Sequence, residues 1–386
     1  MTKKHRKLNG LVKLAYIVCF AFVLASTCRL SANESLFKTN VFVSGEGGYH
    51  TYRIPSLILS QEGTLLAFCE GRKTGRGDHG DLDLLLRRSE DQGKTWKPTQ
   101  VVHEEGGSQN ITIGNPCPVV DQETGRIWLP FCRDNNDVFM TFSDDDGKTW
   151  AEPRNITSDV KKSNWSWYAT GPGVGIQLSG EKHKGRLVIP CDHREPVDGV
   201  IAMHSHVFYS DDHGVTWRLG GSVEKHTDEC QVVELADGSL MINMRNYWGT
   251  TGKQKARDKM RAVATSPDGG ATWQEVRFDS GLIEPICQAS FICRAGKQPN
   301  GKHQLLFSNP ASKSTREKLT VRLSQDEGQT WPVAMLLHEG PSAYSCLCEL
   351  PNGTIGCLYE GGKKHAYETL IFARFSMKSL TAAHVD

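Results

Sequence analysis

The sequence predicts an all-β protein folded as a six-bladed β-propeller of four-stranded antiparallel blades. Three observations support this prediction. One octapeptide, Ser-x-Asp-x-Gly-x-Thr-Trp, occurs five times in the chain. Short alternating or apolar runs, separated by turn dipeptides, fill the intervals between the copies. No stretch beyond about residue 40 shows sustained helical periodicity.

The five octapeptides lie at similar intervals, with successive starts 54, 67, 56 and 58 residues apart. A period of this size is typical of a propeller or a similar array, in which each repeat is one antiparallel unit. We call these segments the Asp boxes. They are Ser89–Trp96, Ser143–Trp150, Ser210–Trp217, Ser266–Trp273 and Ser324–Trp331.

The composition of each Asp box predicts a hairpin turn. The Ser and Asp side chains can accept hydrogen bonds from turn amides, and the Gly tolerates a positive φ. The Thr begins the outgoing strand, and the Trp supplies a large apolar anchor between neighbouring sheets. A calcium loop needs several oxygen ligands in one short segment, whereas only one Asp is constant among the copies. The boxes are therefore predicted to be structural.

The runs between the boxes predict the strands of the blades. Turn dipeptides such as Glu62-Gly63, Asp237-Gly238 and Asn352-Gly353 join pairs of runs into hairpins. The clearest runs are Leu65–Cys69, Asp83–Arg88, Ile127–Phe131, Leu187–Cys191, Leu240–Arg245 and Leu370–Arg374. Five boxes and the segments that flank them suit six blades, one of which lacks a box.

The first residues predict a targeting segment. A basic stretch, residues 1–10, precedes the apolar run Leu14–Ala25, which has about the length of the apolar region of a secretory signal and is short for a membrane-spanning helix. We expect a signal peptide over residues 1–32 and a propeller domain over residues 33–386, in a secreted or extracytoplasmic protein. The alternative is an uncleaved anchor that tethers the chain to a membrane.

Charge and cysteine content exclude some function classes. Without residues 1–32 the chain has 39 basic and 44 acidic residues, a net charge of −5 with His neutral, so no nucleic-acid footprint is indicated. Ten cysteines lie beyond residue 32, and their spacing predicts neither a small disulfide scaffold nor a zinc site. Disulfides are plausible after export, but no pairs can be assigned.

Several polar motifs, distant in sequence, lie next to predicted strands. In a propeller the inner strands converge on the axis, so such residues can meet there. The motifs are Tyr52-Arg53-Ile54-Pro55, Gly77-Asp78-His79-Gly80-Asp81, Asp228-Glu229-Cys230-Gln231, Asn243-Met244-Arg245-Asn246, Arg316, Ala343-Tyr344-Ser345-Cys346 and Leu358-Tyr359-Glu360.

This set of motifs, in this order and with five Asp boxes, resembles the exo-α-sialidase (neuraminidase) family of bacterial and animal type. The resemblance extends from about Val41 to Phe375. It implies a six-bladed propeller, a glycoside hydrolase activity, and neither a cofactor nor a metal in catalysis.

The resemblance also implies a role for each matching residue. Arg53, Arg245 and Arg316 resemble the three arginines that bind the substrate carboxylate, and Glu360 the acid that holds the first of them. Tyr344 resembles the nucleophile and Glu229 the carboxylate that activates it. Asp78 resembles the acid/base, with Asp81 as its competitor in the same segment. Arg72 and Asn115 are further candidates for the pocket, next to the acid/base and on the N-acetyl side.

The resulting hypothesis is a secreted, retaining exo-α-sialidase that forms a tyrosyl-enzyme intermediate. Its expected partners are sialylated glycoproteins, glycolipids and oligosaccharides, and we expect a monomer. A trans-sialidase and an enzyme that prefers deaminated sialic acid (KDN) remain alternatives, because the same residues serve them. A non-catalytic glycan-binding propeller is a third, and it predicts loss of Tyr344, Glu229 or the arginines.

Overall fold

The computed structural model describes residues 36–248 and 259–382. The predicted signal peptide, residues 1–32, lies outside the described residues. Within the described ranges, no helix combines the length and the apolar character needed to cross a membrane.

The described residues form an all-β structure, with antiparallel sheets in a propeller-like arrangement. The chain begins with β1 (Phe37–Val43). The first sheet contains β2 (Thr51–Leu59), β3 (Leu65–Arg72), β4 (Leu82–Ser89) and β5 (Gln100–His103). The second contains β6 (Ile113–Gly114), β7 (Val119–Val120), β8 (Ile127–Arg133), β9 (Asp137–Ser143) and β10 (Arg154–Asn155).

The later sheets follow the same order along the chain. The third contains β11 (Trp167–Thr170), β12 (Ile176–Gln177), β13 (Leu187–Val197), β14 (Val200–Ser210) and β15 (Arg218–Ser222). The fourth contains β16 (Thr227–Glu234), β17 (Leu240–Asn246), β18 (Met260–Ser266) and β19 (Arg277–Ile283). The helices of the described ranges are short: α1 (Thr157–Val160), α2 (Met377–Ala382) and a 3₁₀ turn at Glu181–His183.

The last sheet has seven strands, because one long strand belongs to two sets of pairings. It contains β20 (Ser290–Lys297), β21 (His303–Pro310), β22 (Glu317–Ser324), β23 (Val333–Glu349), β24 (Ile355–Gly361), β25 (Thr369–Phe375) and β1. The first part of β23 pairs with β22 and its second part with β24. The hydrogen-bonded sheets of the described residues therefore number five, and not the six that the sequence predicts, because β23 continues from one set of strands into the next.

The Asp boxes are hairpin turns, and all five have the same hydrogen bonds. In the second box the Ser143 hydroxyl donates to Asp145 and accepts from the Gly147 amide, while Asp145 accepts from both the amide and the hydroxyl of Thr149. The other four boxes repeat these four contacts. The carboxylate of each Asp thus completes its own turn, which confirms the structural interpretation.

The tryptophans of the boxes join neighbouring sheets. Trp150 packs edge-on against Phe68 of β3 at a centroid distance of 5.7 Å, and Trp217 against Trp128 of β8 at 6.0 Å. Trp96 contacts Phe372 of β25 at 5.5 Å, so this contact joins the first sheet to the last. Since aromatic pairs of this kind bury large areas, the boxes also determine how sheets pack.

The inner strands surround a cavity of about 980 Å³. Residues from six inner strands line it: Leu57, Val119, Ile176, Val233, Ile292 and Leu347. Leu57 lies near the end of β2, whereas Arg53 lies near its start. The polar motifs of the sequence therefore lie towards the other end of the inner strands.

The ten cysteines of the described ranges are all free thiols, and eight of them are buried. Burial raises the pKa of these thiols, for example that of Cys346 to about 12. They contribute to the packing between strands, and no disulfide occurs among them.

We expect Asp145→Ala to lower the free energy of unfolding by about 1–3 kcal/mol, because it leaves the amide and hydroxyl of the turn without their acceptor. Asp144→Ala is the matched control, since the neighbouring Asp144 forms an exposed ion pair with Arg126 that contributes about 0–1 kcal/mol. Urea denaturation measures both changes. Equal effects of the two substitutions would contradict a special role for the constant Asp.

Candidate active site

Three β-bulges bring the polar motifs to the centre of the molecule. The pairing of β2 with β3 shifts register between Arg53 and Ser56, that of β16 with β17 between Thr227 and Cys230, and that of β23 with β24 between Ser342 and Ser345. A bulge bends its strand and re-aims the side chains beside it. At these bulges lie Arg53, Glu229 and Tyr344.

One buried carboxylate connects two of these bulges. Glu360 Oε1 accepts hydrogen bonds from Arg53 Nε and from the amide of Ile54, both at 3.0 Å. Its Oε2 accepts from Arg53 Nη2 at 3.2 Å and from the amide of Tyr344 at 3.1 Å. Ile54 has a φ of +59°, which is rare for a β-branched residue. In this conformation its amide donates a hydrogen bond to Glu360. Glu360 therefore fixes both the first arginine and the backbone of the tyrosine.

The hydroxyl of Tyr344 donates a hydrogen bond to Glu229 Oε1. Arg245 Nη1 donates to the other oxygen of Glu229 at 2.8 Å and to the tyrosine hydroxyl at 3.2 Å. Burial raises the pKa of Tyr344 well above its usual value, the Glu229 carboxylate raises it further, and the nearby arginines oppose both. The phenol therefore keeps its proton and directs it at Glu229.

Three guanidinium groups surround the ring of Tyr344. Those of Arg53 and Arg316 lie 4.9 and 5.6 Å from the ring centroid, and Arg245 contacts the hydroxyl. Arg53 is paired with Glu360 and Arg245 with Glu229. Arg316 donates instead to the hydroxyl of Tyr367 and to the carbonyl of Ile286, and it forms no ion pair within the described ranges. The cluster is therefore suited to receive an anionic group.

Asp78 lies at the exposed edge of this cluster. Its side chain is 67% exposed, whereas the two arginines that it contacts are buried. Arg72 Nη1 donates to Asp78 Oδ1 at 2.9 Å, and Arg53 Nη1 donates to the same oxygen at 3.4 Å. Partial burial raises the pKa of Asp78, but the charges of Arg72 and Arg53 outweigh it and hold that pKa below its usual value.

Asp81, the competing acid, lies outside the cluster. It is buried and pairs with Lys73 at 2.9 Å, as Asp83 does at 3.1 Å. Asp83 also accepts a hydrogen bond from the hydroxyl of Tyr49. Of the two candidates, only Asp78 is bonded to the arginine cluster.

The secondary candidates meet through Glu70. Arg72 donates twice to Glu70 Oε2, and the amide of Asn115 donates to Oε1 at 2.9 Å. The side chain of Asn115 accepts from Asn135. Asn115 has a φ of +58°, a conformation that Asn tolerates better than most residues. Arg72 thus lies in the cluster, while Asn115 reaches it indirectly.

Comparison with known proteins places this chain in a family. The BNR repeat-like domain matches residues 63–357. A sialidase of Micromonospora viridifaciens is 37% identical in an alignment 343 positions long, which covers 83% of this chain and 51% of that protein. Sialidase-2 of Cricetulus griseus is 31% identical in an alignment 395 positions long, gaps included, which covers 92% of this chain and 97% of that protein. The chain belongs to the sialidase family.

The structural comparison agrees with this assignment. A Hadza microbial sialidase, Hz136, superimposes with a TM-score of 0.78 and 32% identity, over 89% of this chain and 69% of that one. This chain spans about half the length of the Micromonospora viridifaciens sialidase and nearly all of the length of the Cricetulus griseus sialidase-2.

Two tyrosines and two acids that contact or adjoin this cluster were not among the candidate site residues of the sequence analysis. Tyr247 accepts a hydrogen bond from Arg245, and Tyr367 accepts one from Arg316 while its ring lies 4.2 Å from the Arg53 guanidinium. Asp192 and Asp228 are buried near Glu229, and burial together with mutual repulsion raises the pKa of Asp192. Tyr247 follows Arg245 by two residues and Asp228 directly precedes Glu229, and these were the local signals in the sequence. Asp192 and Tyr367 are brought in from distant segments.

We expect Glu360→Gln to lower the free energy of unfolding by about 3–5 kcal/mol, because it leaves the buried charge of Arg53 without its main partner. Glu349→Gln is the control, since Glu349 pairs with Arg294 at a partly exposed position and should matter by less than about 1 kcal/mol. Chemical denaturation followed by tryptophan fluorescence measures both. A loss no larger than that of the control would show that the pair is not needed for stability.

Proposed function

We propose that this sialidase-family chain is an exo-α-sialidase that hydrolyses terminal α-linked sialic acids with retention of configuration. The observation that carries the proposal is the hydrogen-bonded pair of Tyr344 and Glu229 within a group of three arginines. The substrates we propose are sialylated glycoproteins, glycolipids and oligosaccharides. The activity named for the relatives supports this proposal.

Arg53, Arg245 and Arg316 are proposed to bind the substrate carboxylate. The planar guanidinium group forms paired, charge-assisted hydrogen bonds with a carboxylate. Arg316 has no carboxylate partner in the described ranges, and Arg245 Nε is buried without a hydrogen-bond partner there. A bound carboxylate would supply the missing acceptors. Since this carboxylate persists in an oxocarbenium-like transition state, the arginines remain effective throughout the reaction.

Tyr344 is proposed as the nucleophile and Glu229 as its base. A sialic acid carries its carboxylate on the anomeric carbon, so an Asp or Glu nucleophile would be repelled, whereas a neutral phenol is not. Because burial keeps the pKa of the phenol high, it needs a base at the moment of attack. Glu229 already accepts the hydrogen bond along which that proton would move.

Asp78 is proposed to act as acid and then as base. In the first step the phenol oxygen bonds to the anomeric carbon, its proton passes to Glu229, and the glycosidic bond breaks as Asp78 protonates the leaving oxygen. In the second step a water gives its proton to Asp78 and attacks the anomeric carbon, the bond to Tyr344 breaks, and the phenolate recovers its proton from Glu229. Two displacements give net retention.

We further propose that the sheets form a propeller of six blades and that the chain is exported. If β23 is assigned to two blades, the seven-stranded sheet becomes two units, and residues from six inner strands line the cavity. The domain would then cover residues 33–386, after a signal peptide or anchor over residues 1–32. The basic and apolar character of residues 1–25 supports export.

The alternatives differ in what the residues must do. A glycan-binding propeller needs no nucleophile, and the Tyr344–Glu229 pair argues against it. A trans-sialidase or a KDN-preferring enzyme would use the same cluster. Proton NMR of the first products separates hydrolysis from transfer, because hydrolysis releases the α-anomer of the free sugar and transfer forms a new glycoside.

We expect the wild-type protein to hydrolyse a fluorogenic α-sialoside and Tyr344→Phe to lower kcat/KM by about 10³-fold or more, because the phenol oxygen that forms the intermediate is gone. Glu229→Gln should cost about 10²–10⁴-fold, the usual value of general base assistance. Steady-state kinetics measure both.

Tyr359→Phe is the matched control, since Tyr359 is a buried neighbour of Glu360 whose hydroxyl has no hydrogen-bond partner in the described ranges. It should keep wild-type activity. Absence of turnover by the wild type would refute the sialidase proposal, and full activity of Tyr344→Phe would refute the choice of nucleophile.

We expect Asp78→Asn to lower the rate of hydrolysis of a natural sialyllactose at least about 10-fold more than that of an aryl sialoside, because a poor leaving group needs the general acid.

The pH dependence should show the same role of Asp78. The arginines lower the pKa of Asp78 in the free protein, and a substrate carboxylate that engages Arg53 would raise this pKa again. Since an acid must be protonated, activity on sialyllactose should fall as the pH rises through this pKa, and kcat should fall at higher pH than kcat/KM. Profiles for both substrates test this, with Asp81→Asn as the control. Equal losses on the two substrates would contradict the role of Asp78.

A further inference from the structure

A cluster of histidines outside the active site lies on one face of the hairpin of β13 and β14. His193 pairs in register with His204, and Cys191 with His206. Residues two apart on a strand share a face, so His193 and Glu195 of β13 face the same side as His204 and His206 of β14. The sequence shows this as His193-Arg194-Glu195 and His204-Ser205-His206 around the turn at Asp198-Gly199.

Three ligand atoms converge in this cluster. Nε2 of His193, Nε2 of His204 and a carboxylate oxygen of Glu195 all lie within 4.8 Å of one another. Glu195 Oε1 is 3.9 Å from His193 Nε2 and 3.6 Å from His204 Nε2. These separations are too long for hydrogen bonds. A tetrahedral ion with bonds of about 2.0–2.1 Å holds its ligands about 3.3 Å apart, so small side-chain rotations would close the site.

The two imidazole nitrogens have no hydrogen-bond partner in the described ranges. His193 is 0% exposed and His204 is 8% exposed, so water does not readily replace the missing partners. A buried polar atom without a partner costs about 1–3 kcal/mol. His206 Nε2 is also without a partner within the described ranges, but it is the pair on His193 and His204 that faces the same carboxylate, so one bound ion would satisfy both.

The hydrogen bonds of both rings are compatible with metal ligation through Nε2. His204 Nδ1 lies 2.9 Å from the carbonyl of Val223, and since a carbonyl only accepts, Nδ1 carries the proton and Nε2 a lone pair. His193 Nδ1 lies 3.0 Å from His206 Nδ1. When His193 donates this hydrogen bond, its Nε2 carries a lone pair and can bind a metal ion. Such contacts on the second nitrogen are typical of metal-binding histidines.

The carboxylate is also held in place. Glu195 Oε2 accepts hydrogen bonds from Trp165 Nε1 at 3.1 Å and from Asn164 Nδ2 at 3.4 Å, which leaves Oε1 directed at the two histidines. Trp165 stacks on His193 with a centroid distance of 3.4 Å. The Nζ of Lys162 lies 5.6 Å from the Trp165 ring centroid, and its positive charge disfavours binding of a cation nearby.

We propose that His193, Glu195 and His204 form a binding site for a divalent transition metal, with Zn²⁺ as the ion that fits best. Two imidazoles and one carboxylate are a known zinc ligand set, which leaves a fourth position for water. The ion would join β13 to β14 near the tip of the hairpin. Asp192, next to His193, lies on the opposite face of β13, where it accepts a hydrogen bond from Trp167 Nε1. The site thus stabilises the hairpin and is separate from the proposed catalytic residues.

Zinc binding to the purified chain, stripped with a chelator and then dialysed, tests the proposal. We expect calorimetry to give one equivalent of Zn²⁺, and Co²⁺ to give the visible absorption of a tetrahedral site with nitrogen and oxygen ligands. His204→Asn retains a donor for the Val223 carbonyl but removes Nε2, and Glu195→Gln removes the ligand charge. Each should weaken binding by at least about 10-fold. Both variants should retain turnover of an aryl sialoside, which also verifies that they fold.

His213→Asn is the matched control, because His213 lies beside Asp121 and Glu123 at the surface but outside this cluster. It should bind Zn²⁺ as the wild type does. The proposal fails if the wild type takes up no Zn²⁺, if Glu195→Gln and His204→Asn bind as tightly as the wild type, or if Co²⁺ gives thiolate charge-transfer bands. If His204→Asn does not fold, the affinity of Glu195→Gln decides.

Discussion

The arrangement of the active site depends on one interaction, the four hydrogen bonds accepted by the buried carboxylate of Glu360. They join the start of β2, which carries Arg53, to the second part of β23, which carries Tyr344. From Tyr344 the contacts continue to Glu229 and Arg245, and from Arg53 to Asp78 and Arg72. A buried charge must be paired and hydrogen-bonded. This requirement gives Arg53 and the Tyr344 backbone little freedom.

The charges of the site are balanced except where a substrate would bind. Arg245 has one carboxylate partner, Arg53 and Arg72 have two each, and Arg316 has only hydroxyl and carbonyl partners within the described ranges. An incoming carboxylate could therefore pair with Arg316 without displacing Glu360. In the proposed mechanism it would also weaken the contact of Arg53 with Asp78. Substrate binding and protonation of the proposed acid would then be coupled through one guanidinium group.

Much of the architecture could be predicted from sequence because its signals are local. The Asp boxes mark the turn between the third and fourth strands of five units, and each keeps its own hydrogen bonds. The short outer strands β5 and β10 have no such signal, since they consist of four and two residues. β1 pairs with β25 at the far end of the chain, and nothing near Phe37 in sequence indicates its partner. The long β23 was likewise unpredictable, because its continuity through two sets of pairings depends on neighbours.

The repeated turns, the all-β class and the seven proposed catalytic and binding motifs could be predicted without a structure, because each depends on a few consecutive residues. The motifs are those around Arg53, Asp78, Glu229, Arg245, Arg316, Tyr344 and Glu360. Which side chains meet depends on the folded arrangement of the strands. It bonds Asp78 rather than Asp81 to the arginines, adds Tyr247 and Tyr367 as their partners, and brings His193, Glu195 and His204 onto one face. These choices depend on β-bulges and strand register, which arise only when distant strands pair.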